Sequence, residues 1–96
     1  MKTVPFILRF FLLSAVLLVS ACAGAPVQEM SNARQALEAA RKAGAETRAN
    51  SELRTAEELL QRAEQALLEG NYKQARTDAE AARNQAVVAQ DKSLNE

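Results

Sequence analysis

The chain has no histidine, no tryptophan and a single cysteine, Cys22. Without an imidazole it lacks the usual general base near neutral pH. With one thiol it has neither an intrachain disulfide nor a His/Cys metal site. No metal, no cofactor and no enzymatic activity are therefore expected. Aromatic residues are scarce as well. Phe6, Phe10 and Phe11 stand near the start, which leaves Tyr72 alone in the rest of the chain. No charge sign dominates, with twelve basic against twelve acidic residues. Beyond residue 21, which leaves Lys2 and Arg9 behind, ten basic residues face all twelve acidic ones. That balance argues against a nucleic-acid ligand, whose binders concentrate positive charge on one surface. A chain of 96 residues supports one small domain at most.

The N-terminal segment reads as export machinery. Lys2 and Arg9 form a positive flank, and Phe10–Leu13 and Ala15–Val19 form an apolar stretch broken only by Ser14. This run is shorter than the ~20 apolar residues of a membrane span. Its layout is that of a secretory signal, with a positive start, an apolar middle and small residues at the end. The closing residues Val19-Ser20-Ala21-Cys22 resemble a bacterial lipobox, although leucine is commoner at the Val19 position. The resemblance implies cleavage between Ala21 and Cys22, with acyl chains such as palmitate on the new amino group and the thiol. At ~0.8 kcal/mol per buried CH₂, one chain holds marginally and two or more hold stably. Residue 23 is alanine, where an aspartate would retain a Gram-negative lipoprotein at the inner membrane. The expected location is the outer membrane, lipid-anchored on its periplasmic face, with the bilayer as one partner through acylated Cys22.

The remainder divides by pattern. Residues 22–27 read as a short flexible tether punctuated by Gly24 and Pro26. Residues 28–92 carry helical periodicity, and 93–96 read as a frayed tail. Ser31 or Asn32 is placed to cap a first helix. Ala33, Ala36, Ala40, Ala43 and Thr47 step by 3, 4, 3, 4, close to a coiled-coil heptad. Leu37 widens this stripe, Glu38 and Lys42 form an i,i+4 pair, and Gly44 weakens the helix before an end near Ala49. Asn50 or Ser51 is placed to cap a second helix, with Glu52 at the positive end of its dipole. Leu53, Ala56, Leu60, Ala63 and Leu67 repeat the same steps, broadened by Leu59, Ala66 and Leu68. Gly70 suits a left-handed helix end and Asn71 caps the third helix. Its stripe is Tyr72, Ala75, Ala79, Ala82, Ala86 and Ala89. The fold expected is all-α: a small, alanine-rich, antiparallel three-helix bundle behind a cleaved lipoprotein signal peptide. The leucine-bearing middle helix is the expected hub. A core this small is marginal at this length, so contact with a partner or with a second copy is a physical expectation.

The alanines of 33–45, Leu53-x-x-Ala56, Leu60-x-x-Ala63, Gly70-Asn71-Tyr72-x-x-Ala75 and the alanines at 79, 82, 86 and 89 resemble the DUF4398 domain over nearly all of 28–92. That family occurs in short bacterial lipoproteins and beside OmpA-like peptidoglycan-binding domains. It has no established activity, so the resemblance carries no catalytic residue to this chain. Ala66 to Ala75 also resembles the turn of a tetratricopeptide repeat, but stable arrays need about three repeats and one such turn is present. The major murein lipoproteins are likewise short and alanine-rich. Their terminal lysine, which is linked to peptidoglycan, has no counterpart in Ser93-Leu94-Asn95-Glu96.

Candidate chemistry is sparse. Glu57 and Glu58 are adjacent and point to different helix faces, and Glu64 and Asp78 sit among charges. General acid–base pairs need a sheltered site that raises one pKa, and these carboxylates read as solvated ion-pair partners. Tyr72 is the candidate partner contact, weighed against a packing role at a helix start. The function expected is a non-catalytic structural or adaptor lipoprotein that touches another envelope protein or a copy of itself. The alternative is a peptidoglycan-associated, envelope-spacing lipoprotein.

Overall fold

The structure, a computed structural model, describes residues 24–95. Among these every regular element is helical: α1 (Val27–Lys42), α2 (Ala45–Arg48), α3 (Asn50–Leu68) and α4 (Tyr72–Leu94). They form a small all-α bundle.

Helix α1 starts four residues before Ser31. Pro26, with φ −79°, leads into it, and the Met30 amide donates to the Pro26 carbonyl at 3.0 Å. The expected caps are not used as caps. Ser31 Oγ accepts from Gln35 Nε2 at 3.2 Å, and Asn32 Oδ1 accepts from Gln28 Nε2 at 2.9 Å, both along the helix surface. The extra turn is held by burial, since it seats Met30 against Ala63 and Ala79. The Glu38–Lys42 pair forms at 3.6 Å.

The helix does not run on to Ala49. Gly44 takes φ +93°, a left-handed conformation that closes α1 after Ala43. One further turn, α2, follows, and Ala49 at φ −144° redirects the chain into α3. Ala45 and Ala49 are buried on either side of that turn, against Leu37, Ala40, Leu53, Ala86 and Ala89. Asn50 donates from Nδ2 to the Glu46 carbonyl in α2 at 3.0 Å and does not cap α3.

The turn at 69–71 is as expected. Gly70 has φ +77°, its amide donates to Leu67 O at 3.1 Å, and the Asn71 amide donates to Ala66 O at 2.8 Å. These two bonds make a Schellman closure. Asn71 Oδ1 then accepts from the Gln74 amide at 3.3 Å and caps α4.

Ion pairs fix the directions. Glu52 at the start of α3 meets Lys92 near the end of α4 at 3.0 Å. Arg34–Glu64 and Arg41–Glu57 cross from α1 to α3 at 3.8 and 3.3 Å. Both pairings are antiparallel. Glu29 meets Arg76 at 3.5 Å, near the starts of α1 and α4, so those two helices run parallel.

The hub is α4 and not the leucine-bearing α3. Both α1 and α3 pack along α4, and they touch each other much less. The reason is side-chain size. The buried residues of α4 are Ala75, Asp78, Ala79, Ala82, Ala86, Ala89 and Ser93, so two neighbours can approach its backbone at once. In α3, Leu53, Ala56, Ala63 and Ala66 are buried, whereas Leu59, Leu60 and Leu67 are half-buried. The last turn of α4 is ordered past the point where the alanine pattern stops. Ser93 is buried and donates to Ala89 O at 2.8 Å, and its carbonyl accepts from Arg48 Nη1 at 3.2 Å.

Candidate interaction surface

The start of α1, the end of α3 and the start of α4 share one end of the bundle, and the polypeptide enters there. The entry is held by specific bonds. The Gly24 carbonyl accepts from Arg76 Nη2 at 3.2 Å, while Arg76 Nε faces Glu29 Oε2 at 3.5 Å. Pro26 is fully buried, and the Val27 amide donates to Ala25 O at 2.9 Å. The segment expected to be a flexible tether is thus packed on the bundle from Gly24 onward. Arg76 holds it, and a single arginine on a helix surface gives no sequence sign of so remote a partner.

Large apolar side chains are left in the open at this end. Val27 is 72% exposed, Leu68 83% and Tyr72 43%. Leu68 does not broaden the buried face of α3 as its spacing suggests. It is the last residue of that helix and projects beyond the packed stripe, which ends at the buried Ala66. Tyr72 opens α4, and the buried stripe begins only at Ala75. Tyr72 is therefore available for contact. Ala21 and Cys22, the expected cleavage and lipidation positions, lie outside the described residues.

The carboxylates that bridge helices each face a cation. Glu57 lies 3.3 Å from Arg41, and Glu64 lies 3.8 Å from Arg34. Asp78 is more than a solvated charge. It is buried on the alanine seam, accepts from Gln74 Nε2 at 3.0 Å and lies 3.9 Å from Arg62. Its spacing is a usable signal, three residues after Ala75 and four before Ala82, on the buried stripe. Among the described residues Glu52 is the one carboxylate pulled clearly below its ordinary pKa. The hydrogen bond from Lys92 is the main cause, helped by its own backbone amide at the start of α3.

Two open polar clefts flank α4. One, against α1, is lined by Glu29, Asn32, Glu80, Arg83 and Asn84. The other, against α3, includes Arg62, Gln65, Glu69, Gln74 and Asp78. Both are wide and solvated, unlike the enclosed, largely apolar pockets that hold small molecules. Among the described residues no three His, Cys, Asp or Glu side chains converge as a metal site, and no helix is long and apolar enough to cross a membrane.

No characterised protein and no solved structure matches the chain significantly. The family model for the domain of unknown function DUF4398 matches residues 28–96, which spans α3 and α4 whole and α1 from its second residue. The chain therefore belongs to the DUF4398 family.

Proposed function

We propose that the chain is a lipid-anchored lipoprotein of the bacterial envelope, and that its bundle serves as a non-catalytic structural or adaptor module through protein–protein contacts. The observation that carries this reading is Val19-Ser20-Ala21-Cys22 at the close of an apolar, positively flanked segment. Gly24, only two residues further on, is already tied to the bundle. An acylated Cys22 would hold the domain at a bilayer surface. Ala23 in place of aspartate favours the outer membrane. Among the described residues the inter-helix carboxylates, the buried Asp78 included, each face a cation, and the clefts beside them are open, which favours contact over chemistry.

Replacement of Cys22 by serine tests the anchor. The variant is expected to lose acyl label and leave the membrane fraction. Continued membrane association with unchanged gel migration would overturn the reading. Crosslinking of intact cells followed by mass spectrometry should then recover an envelope protein, or a second copy, joined to the bundle.

Peptidoglycan association is the second reading. The α1–α4 cleft favours it, since Glu29, Asn32, Glu80, Arg83 and Asn84 offer donors and acceptors to a sugar-peptide polymer. It predicts co-sedimentation of the protein with purified sacculi.

A further inference from the structure

The exposed apolar residues are not scattered evenly. Five large hydrophobic side chains are exposed among the described residues: Val27, Leu68, Tyr72, Val88 and Leu94. Three of them stand at the helix termini around the point where the chain enters. We infer that Val27, Leu68 and Tyr72 form a seat that rests on the lipid headgroup surface, so that the bundle stands end-on with α4 pointing away from the bilayer. The inference rests on the lipid-anchor reading of Cys22.

The length of free chain limits where the bundle can be. Gly24 is fixed by the Arg76 bond, and Pro26 is buried behind it. Cys22 is two residues from Gly24, so at ~3.5 Å per residue it can stray no more than about 7 Å from the bundle's end. Acyl chains on Cys22 place that residue at the headgroup boundary, and interfacial side chains bury themselves ~5–10 Å into the same layer. A domain on so short a leash cannot lie clear of the headgroups, and the end it must present is this one.

The chemistry of the end suits that layer. Leu68 and Val27 are purely apolar, and Tyr72 pairs an apolar ring with a hydroxyl that stays hydrated, the combination favoured at membrane interfaces. Charge does not oppose the contact. Glu29 is neutralised by Arg76, and Glu69 and Lys73 are of opposite sign. Lys73 has the long stem that lets an ammonium reach phosphates while its methylenes lie on apolar surface.

Tyr72 is the only tyrosine in a chain without tryptophan, so intrinsic emission reads the seat directly. The full-length gene is expressed, and the protein is extracted from membranes and returned to phosphatidylethanolamine/phosphatidylglycerol vesicles. Flotation reads the anchor, and quenching by a headgroup-nitroxide lipid reads the seat. Tyr72 emission is expected to fall about twofold or more in floated protein, as for a ring within the ~5–10 Å interfacial layer. In the Leu94→Trp variant, tryptophan emission should be unaffected, because residue 94 lies about 33 Å along α4 from Tyr72. The double variant Val27→Ser/Leu68→Ser, altered only at exposed positions, should still float, with its docked-to-undocked ratio lowered about tenfold or more.

Floated protein whose Tyr72 is not quenched overturns the seat and leaves the anchor standing. Tyr72 shielded from acrylamide yet untouched by the nitroxide lipid means that a second copy or another protein covers this end, and also overturns it. Quenching of the residue-94 tryptophan as strong as that of Tyr72 means the bundle lies flat, which overturns the end-on seat as well. Protein that does not float removes the anchor, and the seat with it.

Discussion

Substituting Ala86 by leucine sets a gain from burial against a larger packing strain. Ala86 is buried in α4, in the cluster formed with Leu37, Ala40, Leu53 and Ala56. The three added carbons would gain roughly 2.4 kcal/mol if they could be buried freely, at ~0.8 kcal/mol per CH₂. They cannot, because the space is already filled by side chains of α1 and α3 closing on a one-carbon seam. Overpacking of a filled core costs about 1–3 kcal/mol net of that gain. At ~4–8 °C per kcal/mol for a domain of this size, Tm should drop by roughly 4–24 °C. Thermal unfolding followed by helical circular dichroism reads the result. Leu60→Ala is the counterpart on α3. Leu60 is half-buried, so its loss should fall at or below the low end of the ~2–5 kcal/mol found for buried leucines. If Ala86→Leu raises Tm, the alanine seam is slack rather than tight, and the placement of the hub on α4 loses its physical basis.

Other outcomes follow from single positions. Gly70→Ala should cost about 1 kcal/mol through backbone strain alone, since φ is +77° and an added Cβ meets nothing within 4 Å. A loss well above 2 kcal/mol in urea titration would mean that this closure carries packing as well. Asp78→Ala should leave stability within about 1 kcal/mol of the parent, because alanine fits the seam and its former partner Arg62 stays largely exposed. A steep loss on removing Asp78 would instead show the buried carboxylate organising the α3–α4 contact. The Glu52 carboxylate titrates lower in the folded chain than in the unfolded one, so its contribution is complete above the ordinary glutamate value. It is lost as pH falls through the lower folded value, below about pH 4.3. Lys92→Met should flatten that acid limb of the Tm–pH curve, and an unchanged limb would mean the Lys92–Glu52 bond does not persist in solution.

The parts of the fold that are legible in the sequence are those governed by neighbours along the chain. The Gly70-Asn71 turn is local chemistry, a left-handed glycine followed by an amide cap, and both act as their residue types suggest. The three alanine and leucine stripes likewise report helical period directly. Sequence and structure part where distant contacts decide. Ser31 and Asn32 are good caps by propensity, but burial of Met30 against Ala63 and Ala79 rewards an earlier start. Gly44 stands in the sequence as a weak helix residue, and only its positive φ shows that it ends α1 outright. Leucine content points to α3 as the centre, because hydrophobicity is legible in a sequence and the permitted closeness of two backbones is not. The tied-down entry at Gly24 depends on an arginine 52 residues away.

Helix α2 has a bearing on how the bundle comes together. A single turn of four residues does not persist unaided, since helix nucleation is unfavourable until several bonds form. It is held by Ala45 in the core and by Arg48 reaching the carbonyl of Ser93, across 45 residues of chain. That closure requires the final turn of α4 to have docked already. The corner between the first and second long helices is accordingly completed only once the end of α4 is in place, and its amides should exchange with solvent only as that last turn of α4 lets go.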